Sequence, residues 1–275
     1  MVQPVTALTI AGSDSGGGAG IQADLRTFSA FRVHGTSAIT AITAQNTVGV
    51  FSVWNCEPAL VTAQVNAVLE DFEVAAVKTG MLAQPATVEA VADLARNGVL
   101  ANLVVDPVLV STSGHSLMSE GGVVAYREAL LPFATIVTPN LREAALLCGL
   151  DVREITDLDD MVRVGRAILT YGPSFVLVKG GHFAEGSITQ RSAPDVLVTA
   201  SDIVLFDAER IETVNDHGTG CSLSAAIAAG LGLGRSIPEA TRDAKSFVLA
   251  ALEGAASWKL GQGRGPIDHL GWNGE

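Results

Sequence analysis

The sequence contains little cysteine and few aromatic residues. It has three cysteines in 275 residues, and aromatic residues make up 5% of the chain. Cys56, Cys148 and Cys221 are far apart and lack the spacing of metal ligands, which argues against a cysteine metal site and a disulfide framework. A small, odd number of cysteines is typical of proteins in a reducing compartment.

Positive charge is also scarce. With 17 basic and 29 acidic residues, the chain has a formal net charge of −12. Proteins that bind nucleic acid in bulk are usually basic, so we expect no nucleic-acid partner. An acidic protein that binds phosphate must rely on local devices, namely helix N-termini, a few Lys or Arg side chains and metal ions.

Long apolar runs and a charged amino-terminal region are absent too. Gly or polar residues interrupt each apolar run before membrane-spanning length, and the first basic residue is Arg26. We therefore expect no membrane anchor and no signal peptide, and we predict a cytoplasmic protein. With 48% hydrophobic and 17% charged residues, the composition is typical of a globular chain, and we predict a single domain over residues 1–275.

Short apolar segments alternate with longer amphipathic ones. This pattern predicts an α/β fold with a mostly parallel central sheet covered on both faces. Two segments rich in Thr and Val, Thr36–Thr43 and Gln45–Val53, predict strands or a small β flap. The other predicted strands are Ala7–Ile10, Val74–Lys78, Leu103–Asp106, Thr135–Thr138, Phe175–Lys179, Val196–Thr199 and Ile203–Phe206. The predicted helices are Ile21–Phe31, Pro58–Phe72, Pro85–Asn97, Gly121–Phe133, Asn140–Cys148, Leu158–Tyr171, Gly220–Leu233 and Pro238–Trp258.

Polar side chains follow several of the predicted strands. Lys78, Asp106, Asn140 and Lys179 lie at or just after strand C-termini. Ligands of such sheets bind beyond the carboxyl ends of the strands, so one crevice could collect all four side chains.

Two glycine-rich segments each precede a predicted helix. Residues 11–20 form a loop that matches neither the Walker A sequence nor Gly-x-Gly-x-x-Gly. Later in the chain, Gly218 and Gly220 open an alanine-rich helix whose first N–H groups could bind a phosphate. Cys221 lies at the same helix start, where the pKa of a thiol tends to be lowered. Taken alone, this segment is better explained by a plain helix cap before a buried helix of small residues.

Seven segments in one order nevertheless resemble a known family. They are Gly12–Asp24, Thr43–Thr47, Lys78–Leu82, Asp106–Val108, Thr138–Ala144, Val178–His182 and His217–Cys221. The chain resembles the hydroxymethylpyrimidine/phosphomethylpyrimidine kinases of thiamine biosynthesis over nearly its whole length. The resemblance implies a three-layer αβα ribokinase-like fold. It also implies that ATP and Mg²⁺ are used to phosphorylate 4-amino-5-hydroxymethyl-2-methylpyrimidine and then its monophosphate.

The resemblance also implies a role for particular residues. It suggests that Cys221 acts as the base beside the backbone of Gly218 and Gly220, and that Asp106 and Glu143 hold Mg²⁺ and its waters. The implied pyrimidine pocket consists of Gln45, Gly12, Asp24, Met81 and Val108, and the implied nucleotide contacts are Lys179, Thr219 and Asn140. Lys78 is a further candidate for phosphate. His182 and His217 receive no role, and His115 with Ser116 departs from the family pattern.

Several of these residues have structural alternatives. Asp106 could form a turn before Pro107, Glu143 could complement a helix dipole, and Met81 could be a core residue. For Cys221 the alternative is a small buried apolar residue, with the phosphate itself or a water as the base.

Other functions remain open at this point. A pyridoxal (vitamin B6) kinase of the same fold is the main alternative, and a non-catalytic nucleotide- or vitamin-binding protein is another. The family also implies a homodimer formed through the flap, where Phe51, Val53 and Trp54 could supply an apolar patch.

Overall fold

The computed structural model describes residues 3–109, 118, 120–181 and 192–273. The strands are β1 (Thr6–Ser13), β2 (His34–Gln45), β3 (Val50–Asn55), β4 (Val74–Thr79), β5 (Val104–Val105), β6 (Ile136–Val137), β7 (Phe175–Lys179), β8 (Asp195–Val198) and β9 (Ile203–Phe206). The α-helices are α1 (Gly20–Ala30), α2 (Pro58–Asp71), α3 (Pro85–Arg96), α4 (Glu120–Ala125), α5 (Leu141–Cys148), α6 (Leu158–Leu169), α7 (Thr219–Gly232) and α8 (Ile237–Ala255).

In the described residues the strands form one nine-stranded sheet in the order β3-β2-β1-β4-β5-β6-β7-β8-β9. Neighbours from β2 through β7 run parallel, whereas β3, β8 and β9 pair antiparallel with their neighbours. The outer half of β2 and all of β3 form the flap, with Ala41 paired to Asn55. The carboxyl ends of the parallel strands therefore meet along one edge of the sheet, as the sequence predicted.

Helices cover both faces because the strands are apolar on both sides. Val104 and Leu177 pack with α1, α7 and α8, whereas their neighbours Val105 and Val176 pack with α2, α3, α5 and α6. Adjacent residues of a strand point to opposite faces, so each strand supplies both cores. The predicted three-layer α/β fold with a mostly parallel sheet is confirmed.

Several predicted boundaries differ from the structure, and two of the differences have a clear physical cause. β1 continues to Ser13, beyond the predicted end at Ile10, because it stays paired with β2 as far as Ile42. The predicted helix Gly121–Phe133 is instead α4, a π-helical turn at Tyr126–Leu130 and a 3₁₀ turn at Leu131–Phe133. Pro132 cannot donate an N–H, so a regular α-helix cannot continue through it.

The predicted pair of strands near residue 200 is confirmed as the β8–β9 hairpin. The single domain over residues 1–275 stays a prediction. None of the helices in the described ranges has the length and apolar character needed to cross a bilayer.

Candidate functional site

The start of α7 lies directly against the amino-terminal glycine loop. Gly218, the N-cap, has φ 88°, and a Cβ there would lie 1.9 Å from the carbonyl oxygen of Gly18. Only glycine fits such a backbone approach. The first helical hydrogen bond runs from the Ser222 N–H to the Gly218 oxygen at 2.9 Å. The N–H groups of Gly220 and Cys221 precede it, and their position suits an anion.

Lys179, at the end of β7, points to this helix start. Its Nζ lies 2.9 Å from Asp106 Oδ1, and a Cβ on Gly220 would lie 3.3 Å from the same Nζ. Asp106 is held further by the Thr138 hydroxyl, which donates to Oδ1 at 3.2 Å. Burial alone would lower the pKa of Lys179, but Asp106 and Glu143 outweigh burial and raise it. A fixed ammonium therefore lies beside the α7 amides.

A second lysine pair lies under the site. Lys78 Nζ donates to both carboxylate oxygens of Asp24, at 2.9 and 2.8 Å, and both side chains are fully buried. Thr9 donates to the same carboxylate at 2.6 Å. Burial alone lowers the pKa of Lys78, but Asp24 raises it above its usual value. Asp24 was expected to line the pyrimidine pocket; its side chain has no exposed surface here and instead holds Lys78.

Glu143 and Asn140 close the far side of the site. Asn140 caps α5: its side chain accepts from the Glu143 N–H at 3.0 Å, and the Glu143 carboxylate accepts from the Asn140 N–H at 2.8 Å. Burial raises the pKa of Glu143, and the nearby Asp106 raises it further, while Lys179 opposes both. Asp106 and Glu143 are thus near enough to affect each other's ionisation, and Lys179 interacts with both carboxylates.

The expected lowering of the Cys221 pKa is wrong for this structure. The pKa of the thiol is raised to about 11, chiefly by burial and also by the carboxylates of Asp24 and Asp106. Lys78 and the N–H of Gly20 act in the opposite direction but do not compensate. The electrostatic effect of the helix N-terminus on the thiol is therefore too small to offset burial, and Cys221 is a neutral thiol at pH 7 in the absence of ligands.

Gln45 lies at the end of β2 in contact with a network that the sequence analysis missed. Its Nε2 lies 3.2 Å from His217 Nε2, and that nitrogen lies 2.9 Å from Asp14 Oδ2. Asp14 also accepts backbone N–H groups of the glycine loop, from Gly16, Gly18 and Ala19. An Asp that precedes a run of glycines often accepts such bonds, and this was the available signal.

Of the remaining expected site residues, Gly12 and Met81 lie together. A Cβ on Gly12 would meet Met81 Cε at 2.5 Å, so glycine makes room for the methionine. Val108 is half-buried and donates its N–H to the main-chain carbonyl oxygen of Asp106. Thr219 is half-buried in the first turn of α7. His182, His115 and Ser116 lie outside the described residues.

A cavity of about 780 Å³ opens elsewhere, between α2 and α3. Thr62, Asn66 and Asn97 line it, and none of the site residues above does. We therefore locate the candidate site by its converging charged groups rather than by cavity size.

Comparison with known proteins gives a consistent result. A family model described as phosphomethylpyrimidine kinase matches residues 14–268. A hydroxymethylpyrimidine/phosphomethylpyrimidine kinase of Rhizobium meliloti is 52% identical over 265 residues, which is 96% of each chain. A chloroplastic thiamine biosynthetic bifunctional enzyme of Arabidopsis thaliana is 44% identical over 96% of this chain and 49% of its own length.

Solved structures are similar as well. A phosphomethylpyrimidine kinase from Clostridium difficile 630 has a TM-score of 0.78 and 42% identity, covering 90% of this chain and 99% of that one. An ADP complex of Bacillus subtilis pyridoxal kinase has a TM-score of 0.86 and 36% identity, covering 99% of this chain and 100% of that one.

The buried pair under the site gives a stability prediction. Asp24→Asn leaves the Lys78 charge buried without its counter-ion, so we expect the free energy of unfolding to fall by about 3–5 kcal/mol. Urea denaturation of the variant and the wild type measures the change.

The double variant Asp24→Leu with Lys78→Met removes both charges and should be less destabilised than Asp24→Asn. As a matched control, Asp93→Asn breaks an exposed pair with Arg96 and should leave the stability nearly unchanged. If Asp24→Asn were as mild as this control, the Lys78–Asp24 pair would not stabilise the fold as proposed.

Proposed function

The chain belongs to the phosphomethylpyrimidine kinase family, and from that premise we propose that the start of α7 is its phosphoryl-transfer site. The protein is a kinase that phosphorylates 4-amino-5-hydroxymethyl-2-methylpyrimidine and its monophosphate in thiamine biosynthesis. It uses ATP as the phosphate donor. One observation carries the placement of the site: Lys179, Asp106 and Gly220 converge where the first N–H groups of α7 emerge.

Each group at this point has a task in phosphoryl transfer. The transferred phosphoryl carries spread negative charge, and catalysis depends mainly on positioning and electrostatic stabilisation. The N–H groups of Gly220 and Cys221, with Gly218 shaping the turn, face that charge. Lys179 contacts the nucleotide phosphates from the end of β7. Thr219 and Asn140, at two helix starts beside it, complete the proposed nucleotide contacts.

Mg²⁺ fits the two carboxylates of the site. Mg²⁺ in kinase sites takes one or two carboxylates and completes its shell with phosphates and waters. Asp106 and Glu143 supply that set. The raised pKa of Glu143 means that its ionised form is unfavourable in the free site, and a bound cation would stabilise that form. No cluster of three or more His, Cys, Asp or Glu side chains suited to a metal occurs within the described ranges. When bound, Mg²⁺ would neutralise the phosphate charge.

The pyrimidine lies between the glycine loop and β4 in this proposal. Gln45 binds the ring edge, while Gly12, Met81 and Val108 line the remaining surface. Asp24 acts indirectly, because its ion pair with Lys78 holds a positive charge near the proposed phosphate position. Lys78 has no exposed surface, so it would stabilise the phosphate electrostatically and not by direct contact.

Cys221 is the proposed base and acts in its thiolate form, which is the minor form at pH 7 in the free site. The loose transition state needs the acceptor proton removed only late in the reaction. The charge of Lys78 favours the thiolate, and Gly20 donates an N–H toward it. Lys78 and Gly20 therefore stabilise the thiolate, and this thiolate takes the proton of the substrate hydroxyl to give the neutral thiol.

A pyridoxal kinase activity is the second candidate. The similarity to the Bacillus subtilis pyridoxal kinase, with its TM-score of 0.86, favours it as a side activity. We also propose a cytoplasmic location, since all three cysteines are unpaired.

The flap supports a homodimer. Phe51 and Trp54 on β3 are 70% and 77% exposed, and Val53 beside them is 43% exposed. Strand β3 is also the edge of the sheet. Exposed apolar side chains on an edge strand are covered by association with another chain, and a second copy is our proposed partner.

Substrate preference tests the proposed function. With ATP and Mg²⁺, we expect kcat/KM for the pyrimidine alcohol to exceed that for pyridoxal by about tenfold or more, because Gln45 can both donate to and accept from an aminopyrimidine edge. Coupled assays with each alcohol measure the ratio, and product analysis should show the diphosphate at completion. A higher kcat/KM for pyridoxal would reverse the assignment.

Cys221 gives a prediction about pH. Since the thiol has a pKa of about 11, the thiolate fraction rises with pH, and kcat should rise up to roughly tenfold per pH unit between pH 7 and 10. In Cys221→Ala we expect kcat at pH 8 to fall about 100-fold or more, with ATP binding retained. If wild type and variant shared one pH profile, the phosphate or a water would be the base.

The flap gives a prediction about assembly. Light scattering should report twice the 28.3 kDa chain mass for the wild type and a single chain for Phe51→Lys with Trp54→Glu, because buried charges oppose association. Val214→Glu changes an apolar side chain that is 66% exposed outside the flap and should leave the dimer intact. A monomeric wild type would refute the proposed dimer.

A further inference from the structure

The polar contacts around Gln45 cannot all be hydrogen bonds when the amide nitrogen faces His217 and the amide oxygen faces Thr43. His217 Nε2 lies 2.9 Å from Asp14 Oδ2 and 3.2 Å from the Gln45 amide nitrogen. Asp14 also accepts three backbone N–H groups, and although burial opposes it, the contact with His217 lowers the pKa of this carboxyl. An ionised carboxylate only accepts, so His217 Nε2 must carry the proton. A nitrogen that donates to Asp14 cannot also accept from the Gln45 amide.

The opposite end of the amide shows the same conflict. Thr43 Oγ1 lies 2.9 Å from the Ser13 carbonyl oxygen and 3.2 Å from Gln45 Oε1. Both neighbours are acceptors, whereas a hydroxyl has a single hydrogen to donate. The Ser13 carbonyl takes that hydrogen at the shorter distance, which leaves two oxygens facing each other.

Exchanging the amide nitrogen and oxygen of Gln45 removes both conflicts. The oxygen then accepts from His217 Nε2–H, which Asp14 shares, and the nitrogen donates to Thr43 Oγ1. The main chain of Gln45 does not change, since its N–H and carbonyl oxygen are bonded to Ser15 Oγ at 2.8 and 2.7 Å. His217 is itself held by close packing, because a Cβ on Gly18 would meet its ring carbon at 2.5 Å.

We propose that His217, with its Nε2 proton directed by Asp14, is a positioning and specificity-determining residue that locks the Gln45 amide with its oxygen toward His217 and its nitrogen toward Thr43. The proposal deepens the proposed function and rests on the pyrimidine binding at Gln45. In this orientation the amide keeps one free N–H and one free oxygen lone pair at fixed positions. For a ring held in one pose, an acceptor ring nitrogen can take the free N–H while its neighbouring amino group donates to the oxygen. A ring with N–H beside a carbonyl would need the amide nitrogen and oxygen in exchanged positions.

The 4-oxo analogue of the pyrimidine alcohol tests this order. It replaces the acceptor nitrogen and the amino group by N–H and a carbonyl, while its size is retained. For the wild type we expect kcat/KM for the 4-amino substrate to exceed that for the 4-oxo analogue by about 100-fold or more, since unpaired polar groups in a pocket are costly. In His217→Leu the amide can rotate, so this ratio should fall by about tenfold or more.

Three further variants separate orientation from a general structural effect. His217→Gln keeps a terminal N–H donor and should restore the ratio. Thr43→Val removes the other contact and should lower the ratio, whereas Thr43→Ser keeps the hydroxyl and should not. The KM for ATP should stay unchanged in all four variants. If His217→Leu and Thr43→Val reduced turnover of both rings by one common factor, the proposal would be overturned.

A measurement without substrate distinguishes failure of this proposal from failure of the proposed function. The ¹⁵N spectrum of the free enzyme at pH 7, assigned by comparison with His217→Gln, should show His217 Nε2 protonated. An unprotonated Nε2 would overturn the proposal even if the enzyme phosphorylated the pyrimidine well. A protonated Nε2 in an enzyme that did not act on the pyrimidine would support the amide orientation and refute the proposed substrate.

Discussion

The backbone contact between Gly218 and Gly18 is the constraint on which the site depends. A side-chain carbon at Gly218 would lie 1.9 Å from the Gly18 carbonyl oxygen, so this approach is available to glycine alone. The contact joins the start of α7 to the loop after β1, two segments separated by about 200 residues of sequence. It brings the helix start, which suits the phosphoryl group, next to the loop that leads to Gln45.

Charge at the site is arranged around two lysines. Lys179 is paired with Asp106 beside the helix start, and Lys78 is paired with Asp24 beneath it. Each carboxylate keeps its lysine protonated and in place despite burial. An acidic chain with a net charge of −12 thus presents fixed positive charge to a phosphate at one point. The same burial raises the pKa of Cys221, which explains why the helix start does not give a resting thiolate.

Much of the fold could be predicted from the sequence, because strand and helix periodicity differ and Gly and Pro mark the boundaries. Lys78, Asp106 and Lys179 could be placed at one sheet edge since parallel strands share their carboxyl end. The burial of Asp24 could not be predicted, because the segment Gly12–Asp24 does not show that Lys78 forms an ion pair with it. Likewise, His217 and Asp14 are 203 residues apart, and their contact exists only once the two glycine segments meet. The pKa of Cys221 depends on burial by several elements, which local sequence does not reveal.

The most direct measurement is a crystal structure with a non-hydrolysable ATP analogue, Mg²⁺ and the pyrimidine alcohol. We expect the terminal phosphate within hydrogen-bond distance of the Gly220 and Cys221 N–H groups and of Lys179, with the pyrimidine hydroxyl between that phosphate and the Cys221 sulfur. A terminal phosphate bound away from the start of α7 would contradict the account.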